Sequence, residues 1–515
     1  MGNPSTSPPV VTAIVDVQYG YSGFKGLIAS PFVFSAALLA SMGGFSQGYV
    51  DQGVVSLILV MPQFLEQYPE IAATHPNSGF NKGFMTGMLE LGAFLGCLVY
   101  PKLADRISRK WALTAAVVVF DIGAIIQTVS KDYGTLVAGR TIGGIGVGTL
   151  AMGAPLYISE ISPPELRGSL LVLEELCIVI GAIVSYWVTY GTKELAGEAS
   201  FRLPFGLQMV TATILGLLIH FFPYSPRWLA MVHRDEDSLQ NLAKLRRLPT
   251  DDPRVQTEWK GILAEVRFQE ELAAKEHPGA QGFKLEILGW LDLLKKKSLK
   301  RTVVACGVCF FTQFSGINAF VYYAPTLFTM IGQGYNQSLI LSGMINIGQF
   351  VGVVPTMIWM DNFGRRRLAI WGAIGMGIPH AIMAGIVGRY NSSWPQHPGI
   401  GWFAVAVVYS YVIIFGLTYG PLIWTLPAEI FPNARRAKGV GLAVAVNWLS
   451  NFIIGVAVPP MLDSIGFGTY VFFAAFCFLA AIWAFFLVPE TSNKTLEQMD
   501  QVFGDCLAVE DAERL

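Results

Sequence analysis

Twelve mostly apolar stretches recur along this 515-residue chain, and they constrain its fold more than any other feature. An α-helix needs about 20 such residues to cross a bilayer's hydrocarbon core. The stretches run over 31–60, 82–104, 111–130, 135–158, 168–192, 203–224, 301–330, 338–360, 368–388, 400–427, 438–462 and 468–488. No water reaches the backbone in that core, so a spanning segment must satisfy its own hydrogen bonds, and runs of this length predict helices. The first stretch poses a problem. Between Pro31 and Pro62 the one charged residue is Asp51, in GYVDQGV (48–54).

A charged fraction of 14% beside 53% hydrophobic residues is far from that of a soluble enzyme and makes the bilayer the expected solvent. Lys and Arg number 35 against 36 Asp and Glu, with no basic stripe or base-stacking motif, which argues against nucleic acid as a partner. MGNPSTSPPVVTAIVDVQYG lacks the basic n-region and cleavage site of a secretory signal, so the first span is expected to target the chain itself. Gly2 and Thr6 fit a myristoylation pattern only loosely. Of the six cysteines, Cys306 and Cys309 form a C-x-x-C pair without a second pair or a His partner, and helix packing is the better reading than metal or redox chemistry.

Basic residues orient the spans. Arg106, Arg109 and Lys110 follow the second, Arg167 the fourth, Arg365 to Arg367 the eighth, and Arg435, Arg436 and Lys438 the tenth, all on one side. The alternate connections 191–200 and 391–400 carry few cations, so the first set is expected to be cytoplasmic, with both termini inside. The sequons beginning at Asn336 and Asn391 then fall outside. Segment 226–300 is rich in charge, with helix-like apolar spacing, and divides the spans six and six. The expected organisation is a cytoplasmic N-terminal segment (1–30), a six-helix bundle (31–225), cytoplasmic linker helices (226–300), a second six-helix bundle (301–488) and a cytoplasmic tail (489–515).

The halves repeat one another. LADRISRKWAL (103–113) recurs as WMDNFGRRRLAI (359–370), each with an acid four residues before an arginine: Asp105 and Arg109, Asp361 and Arg365. SEISPPELRG (159–168) recurs as AEIFPNARRAKG (428–439), with a Glu seven residues before an Arg: Glu160 and Arg167, Glu429 and Arg436. A duplicated six-helix unit in parallel orientation is the arrangement of a major facilitator carrier, an all-α membrane fold with its substrate site near the midplane between halves. The repeated acids and arginines can form charge-assisted hydrogen bonds that latch the inner ends across the bundles while the outer side is open. Positive charge that only sets topology is the alternative for the arginines.

With these motifs in place, the chain resembles the sugar-porter branch of the major facilitator superfamily from about Asp51 to Asp500. The resemblance is carried in order by DQGV (51–54), ADRISRK (104–110), GRTIGGIGVG (139–148), PYSPRWL (223–229), TQFSGINAFVYYAP (312–325), DNFGRRR (361–367), YGPLIWTLPAEIFPNARRAKG (419–439), NWLSNF (447–452) and VPETSNKTLEQMD (488–500). Fungal monosaccharide–proton symporters look most similar. The chain departs from the family in four places: Val50 intervenes between the Gly-Tyr pair and Asp51, Thr312 replaces one of two glutamines, Glu174 and Glu175 stand where neutral amides are common, and Tyr224 replaces an acid.

A sugar offers hydroxyls that donate and accept, and apolar C–H faces, so its pocket needs amides and aromatic rings. The resemblance places Glu175, Gln313, Asn318 and Asn447 at the pocket wall, with Trp424 and Trp448 as rings and Tyr322 or Tyr323 nearby. Apart from the family, two such amides can also be interhelical glue, and the tryptophans a membrane-interface belt. A buried carboxylate must be neutral, paired or wet, and the resemblance offers Arg140 as the partner of Asp51. Breaking that pair would couple protonation to the side on which the cavity opens. One proton crossing ~100 mV yields roughly 2.3 kcal/mol, and each pH unit about 1.4 kcal/mol more, together sustaining roughly 500-fold accumulation. Glu90, Asp121, Glu174 and Glu175 also lie in apolar runs and are further candidates for proton carriage.

The expected function is proton-coupled import of monosaccharides such as hexoses or pentoses by alternating access, in the plasma membrane, by a monomer. No cofactor beyond the coupling proton is expected. A facilitative uniporter, or a carrier of an acidic sugar such as galacturonate or of a cyclitol or quinate-like substrate, is the alternative. A sugar sensor usually has a longer tail, and no catalytic grouping suggests an enzyme.

Overall fold

A computed structural model describes residues 30–163, 166–280, 282–391, 393–491, 499 and 502–504. The N-terminal segment before residue 30 and most of the tail after 491 therefore lie outside the described residues.

The first span is not one regular helix. It is built from α1 (Pro31–Ala40), α2 (Met42–Gly48), a five-residue π turn (Tyr49–Gly53) and α3 (Val54–Ile58). After the short α4 (Pro62–Gln67) come α5 (Ser78–Ile107), α6 (Arg109–Val129), α7 (Tyr133–Ile161), α8 (Arg167–Thr192) and α9 (Ala199–Leu218). The linker forms α10 (Pro226–Met231), α11 (Asp235–Arg246), α12 (Pro253–Glu276) and α13 (Gly282–Asp292). The second half supplies α14 (Lys296–Phe314), α15 (Ile317–Met330), α16 (Tyr335–Phe363), α17 (Arg365–Tyr390), α18 (Pro398–Leu417), α19 (Tyr419–Ile430), α20 (Asn433–Ile465) and α21 (Gly468–Leu487). Eleven of these segments are long and apolar enough to cross a membrane, counting α14 with α15 and α18 with α19 as one each; the broken first span completes twelve.

Several helices run past their apolar windows. The second span covers 78–107 rather than 82–104, and the eleventh 433–465 rather than 438–462. Hydropathy reports the thickness of hydrocarbon, whereas backbone hydrogen bonding continues into the polar ends until a cap stops it. Asp132 caps α7 by accepting from the Thr135 amide at 2.9 Å, Ser225 caps α10 ahead of Pro226, and Asp252 caps α12 ahead of Pro253. The repeated motif also repeats its backbone. Ser108 and Gly364 occupy equivalent places before Arg109 and Arg365, and both have positive φ, 93° and 81°.

Large apolar side chains face outward along the spans, as lipid contact requires: Val99, Leu217 and Phe486 are all strongly exposed. Within the first bundle α5 and α6 pack on α7, and within the second α17 packs on α21 and α16 on α18. The longest contact between bundles joins α5 to α20, and α16 meets α8.

The linker helices dock on both bundles. Arg246 at the end of α11 donates to the Ile161 carbonyl at 2.8 Å and pairs with Glu258 of α12 at 2.6 Å. Glu276 of α12 pairs with Arg435 of α20 at 2.8 Å, and Glu286 of α13 with Lys438 at 3.3 Å. Asp292 is held by His277 at 2.6 Å and Lys295 at 2.5 Å.

Candidate functional site between the bundles

Asp51 lies in the π turn, buried at 3% exposure. A π turn accommodates one residue more than an α-helical turn and recurs at functional sites. Here it absorbs Val50, the residue that separates Tyr49 from Asp51, so the helix register resumes in α3. The turn sits tightly on α8: a Cβ at Gly48 would overlap the Ile178 carbonyl.

Span seven is also interrupted. Gly316, at φ 91°, separates α14 from α15, and a Cβ there would sit 2.8 Å from the Phe473 ring. The interruption leaves the Ser315 carbonyl without an intrahelical donor. Tyr411 donates to it at 2.9 Å, and the Nε2 of His380 lies 2.8 Å away. The break at Ser315-Gly316 therefore has its backbone satisfied by buried side chains from α17 and α18.

Next to this break lies a chain of amides. Gln313 donates to Asn447 at 2.8 Å, and Asn318 donates to Gln313 at 2.8 Å and to Asn451 at 2.7 Å. Asn451 donates to the Tyr322 hydroxyl at 2.8 Å. That hydroxyl lies 2.6 Å from Asp51 Oδ1 and 3.1 Å from Glu90 Oε1, reaching across the bundle boundary from α15 to the π turn and α5. Tyr322 has a single proton to donate, and the shorter contact places it on Asp51. The one hydroxyl thus gathers Asp51 and Glu90, two buried acids of different helices, around a single oxygen.

Arg140 is fully buried close to this pair but does not bond to Asp51 directly. Its Nε donates to the Met85 carbonyl at 2.8 Å and one terminal nitrogen lies 3.4 Å from the Thr86 carbonyl, while the other has no partner. Asn451 is thus a member of the network that the sequence argument did not name, and Glu90 one that it named only as a further candidate for proton carriage. Asn451 had a legible signal, because it follows Asn447 by one helical turn. The relation of Glu90 to Asp51 had none, since it joins different helices.

The two tryptophans have different places. Trp424 donates from Nε1 to Glu175 Oε2 at 2.8 Å, linking α19 to α8, and its ring touches the apolar clusters of both halves. Trp448 is buried at 1% exposure in the cluster formed mainly by the first bundle. Neither is an interfacial belt residue. Tyr323 instead donates to the Gly455 carbonyl at 2.7 Å.

At the linker end, Arg109 makes a forked contact with Glu160, at 3.0 Å from both Nε and a terminal nitrogen, and reaches Asp105 at 2.7 Å. Arg365 pairs with Glu429 at 2.6 Å, and its amide donates to Glu490 at 2.8 Å. Both pairs join helices of the same bundle. Among the described contacts these two pairs clamp helix ends within each half, because each joins neighbouring helices of one six-helix unit and not the two halves. Arg436 donates to the Phe431 carbonyl. The side chains of Arg167 and Asp361 lie outside the described residues. At the opposite end the bundles do meet directly: Tyr186 donates to the Leu339 carbonyl at 2.7 Å and Tyr335 to the Val60 carbonyl at 3.2 Å.

Two six-helix halves with a polar site between them define a membrane carrier of the major facilitator type. The family model "Sugar (and other) transporter" matches residues 36–503. The chain is 32% identical to the high-affinity glucose transporter of Kluyveromyces lactis, over 95% of this chain and 88% of that one. It is 34% identical to the MFS glucose transporter mfs1 of Aspergillus flavus, over 83% and 82%. Among solved structures it is similar to the proton:xylose symporter XylE bound to 6-bromo-6-deoxy-D-glucose, with a TM-score of 0.74 and 25% identity over 92% of this chain and 99% of that one. The chain belongs to the sugar porter family of the major facilitator superfamily. It is a multi-pass membrane transporter, and its relatives are named transporters rather than enzymes.

Proposed function

We propose that the protein imports neutral monosaccharides, hexoses or pentoses, together with protons. One observation carries the reading: a continuous hydrogen-bond chain runs from the amides Gln313, Asn447 and Asn318 through Asn451 and Tyr322 to the buried acids Asp51 and Glu90. Sugar hydroxyls binding at these amides, beside Trp424 and Glu175, would exchange with the amide–amide bonds and so change what Tyr322 can offer Asp51. A proton on the acid pair and a sugar on the amides are then linked through one side chain of the opposite bundle. Arg140 supplies a nearby fixed positive charge that favours the ionised form once the proton leaves.

The names of the relatives support a sugar as substrate, and that of XylE supports a proton as coupling ion. The reading places the protein in the plasma membrane as a monomer, with the linker and both termini cytoplasmic. The contacts at the end remote from the linker then correspond to a closed outer side, and the clamps Arg109–Glu160 and Arg365–Glu429 hold each bundle rigid as it rocks.

The test is uptake of a panel of labelled sugars at two external pH values in cells lacking hexose transport, with cytosolic pH recorded on sugar addition. Acidification and accumulation above the external concentration are expected. Asp51→Asn is expected to abolish accumulation and retain sugar exchange. Uptake that merely equilibrates, without acidification, would make the protein a uniporter, and preference for galacturonate would replace the neutral substrate.

A further inference from the structure

A second polar recess lies away from the transport path. The start of α1, the start of α6, the turn after α9 and the end of α11 meet around a cavity of about 580 Å³. Lys110, Lys244 and Arg247 line it together with Phe32, Phe221 and Tyr224, and none of its described lining residues is acidic. Lys110 is buried, donates to the Phe222 carbonyl at 2.7 Å and stands 4.0 Å over the Tyr224 ring. Arg247 is exposed, in a left-handed backbone conformation (φ 54°), and its guanidinium lies 5.7 Å from the Phe32 ring. Lys244 is exposed one turn earlier on α11. Tyrosine and phenylalanine faces position two of these cations without neutralising them. Three like charges held around one recess repel one another until an anion enters.

The rim of the recess fixes its depth in the membrane. Phe221 is 81% exposed and Leu217 66% exposed, carrying the lipid-facing side of α9 to the mouth of the cavity. Trp111 is half exposed, with its ring centre 4.5 Å from that of His220 and tilted to it, at the same level, where aromatic residues gather at the membrane interface. The recess therefore opens at headgroup height, on the side that carries the linker.

We infer that this recess binds the headgroup of an anionic phospholipid of the phosphoinositide class. Lys244 and Arg247 take its phosphate, Lys110 faces it from the floor, and the acyl chains run along Phe221 and Leu217. A bound lipid would join α1 and α6 of the first bundle to α11 of the linker, and so set the stiffness of the linker's attachment. Basic pockets between spans, on the face that meets anionic lipid, bind such headgroups, and the volume exceeds what a lone phosphate fills.

The test uses the full chain in phosphatidylcholine nanodiscs with and without a minor fraction of phosphatidylinositol phosphate. Bound lipid is counted by native mass spectrometry after release, and melting is followed in parallel. The wild type is expected to retain the phosphoinositide and melt higher with it. The double variant Lys244→Gln with Arg247→Asn, which keeps a residue tolerant of the left-handed backbone, is expected to bind it about thirtyfold more weakly. Removing equal charge elsewhere on the linker side, with Lys260→Gln and Lys296→Gln, is expected to leave binding unchanged. Equal retention by the two double variants would overturn the site. Full protection by inorganic phosphate in solution would overturn the lipid as its source.

Discussion

Tyr322 joins two chemistries that lie on opposite bundles. Its oxygen accepts from Asn451 and its proton goes to Asp51, so removing the hydroxyl leaves a buried amide and a buried carboxyl each short of a partner. Leaving such groups unsatisfied costs about 1–3 kcal/mol apiece. Tyr322→Phe is therefore expected to lower the melting temperature of the purified protein and to reduce sugar accumulation more than sugar exchange. Equal loss of both would show that the hydroxyl supports only the fold. At this scale Asp51 was conspicuous, because one charge in a 30-residue apolar stretch requires a reason. Glu90 was visible as another intramembrane acid but not as the neighbour of Asp51. A contact between residues 39 positions apart on separate helices has no periodicity to announce it.

Breaks in the helices place these side chains. Gly316 tolerates φ 91° and leaves room for the Phe473 ring, which a methyl group would crowd at 2.8 Å. Gly316→Ala is expected to destabilise the protein by about 1–3 kcal/mol through both strain and overlap. Unchanged melting in detergent would mean that Tyr411 and His380, not the glycine, hold the break. The π turn at Asp51 could not be read from composition, since Val50 is an ordinary apolar residue. It showed only as one residue too many before Asp51, and the backbone resolved that excess by widening a single turn. In the linker, burial pushes the Asp292 carboxyl up, but hydrogen bonds from Lys295 and His277 outweigh it and hold the group below the ordinary carboxylate range. A depressed folded-state value means the ionised form stabilises the fold. That contribution is complete above the unfolded value of about 3.9 and is lost as pH falls through the folded one. Amide exchange in 253–292 is accordingly expected to accelerate below about pH 4. Asp292→Asn should show faster exchange already at neutral pH and no such acid step; an acid step of undiminished size would assign it to another group.

Across the whole molecule the bundles are tied directly at one end and through the linker at the other. Arg435 is central to the second tie, bonding Glu276 at 2.8 Å and Ser298 at 2.9 Å. Both partners of the ion pair are partly exposed, so its coupling should be modest, about 0.5–1 kcal/mol in a double-mutant cycle of Arg435→Gln and Glu276→Gln. The variants are expected to change the rate of sugar exchange while leaving sugar affinity unaltered. A changed affinity with an unchanged rate would mean that the linker shapes the site instead of regulating its movement.

The twelve spans, the division around a charged linker and the repeated motifs were legible in the linear chain, because hydrocarbon thickness, charge placement and duplication are written in residue order. The chain also marked Gln313, Asn318, Asn447 and Asp51 as polar residues that a membrane would not hold idly. Their partners emerged only once the helices packed. Asp51 met Tyr322 and not Arg140, and Arg109 and Arg365 closed on acids of their own bundle. Partner choice depends on helix rotation and crossing, and these are set by close packing such as that of Gly48 on α8, which depends on both surfaces together and on neither helix alone.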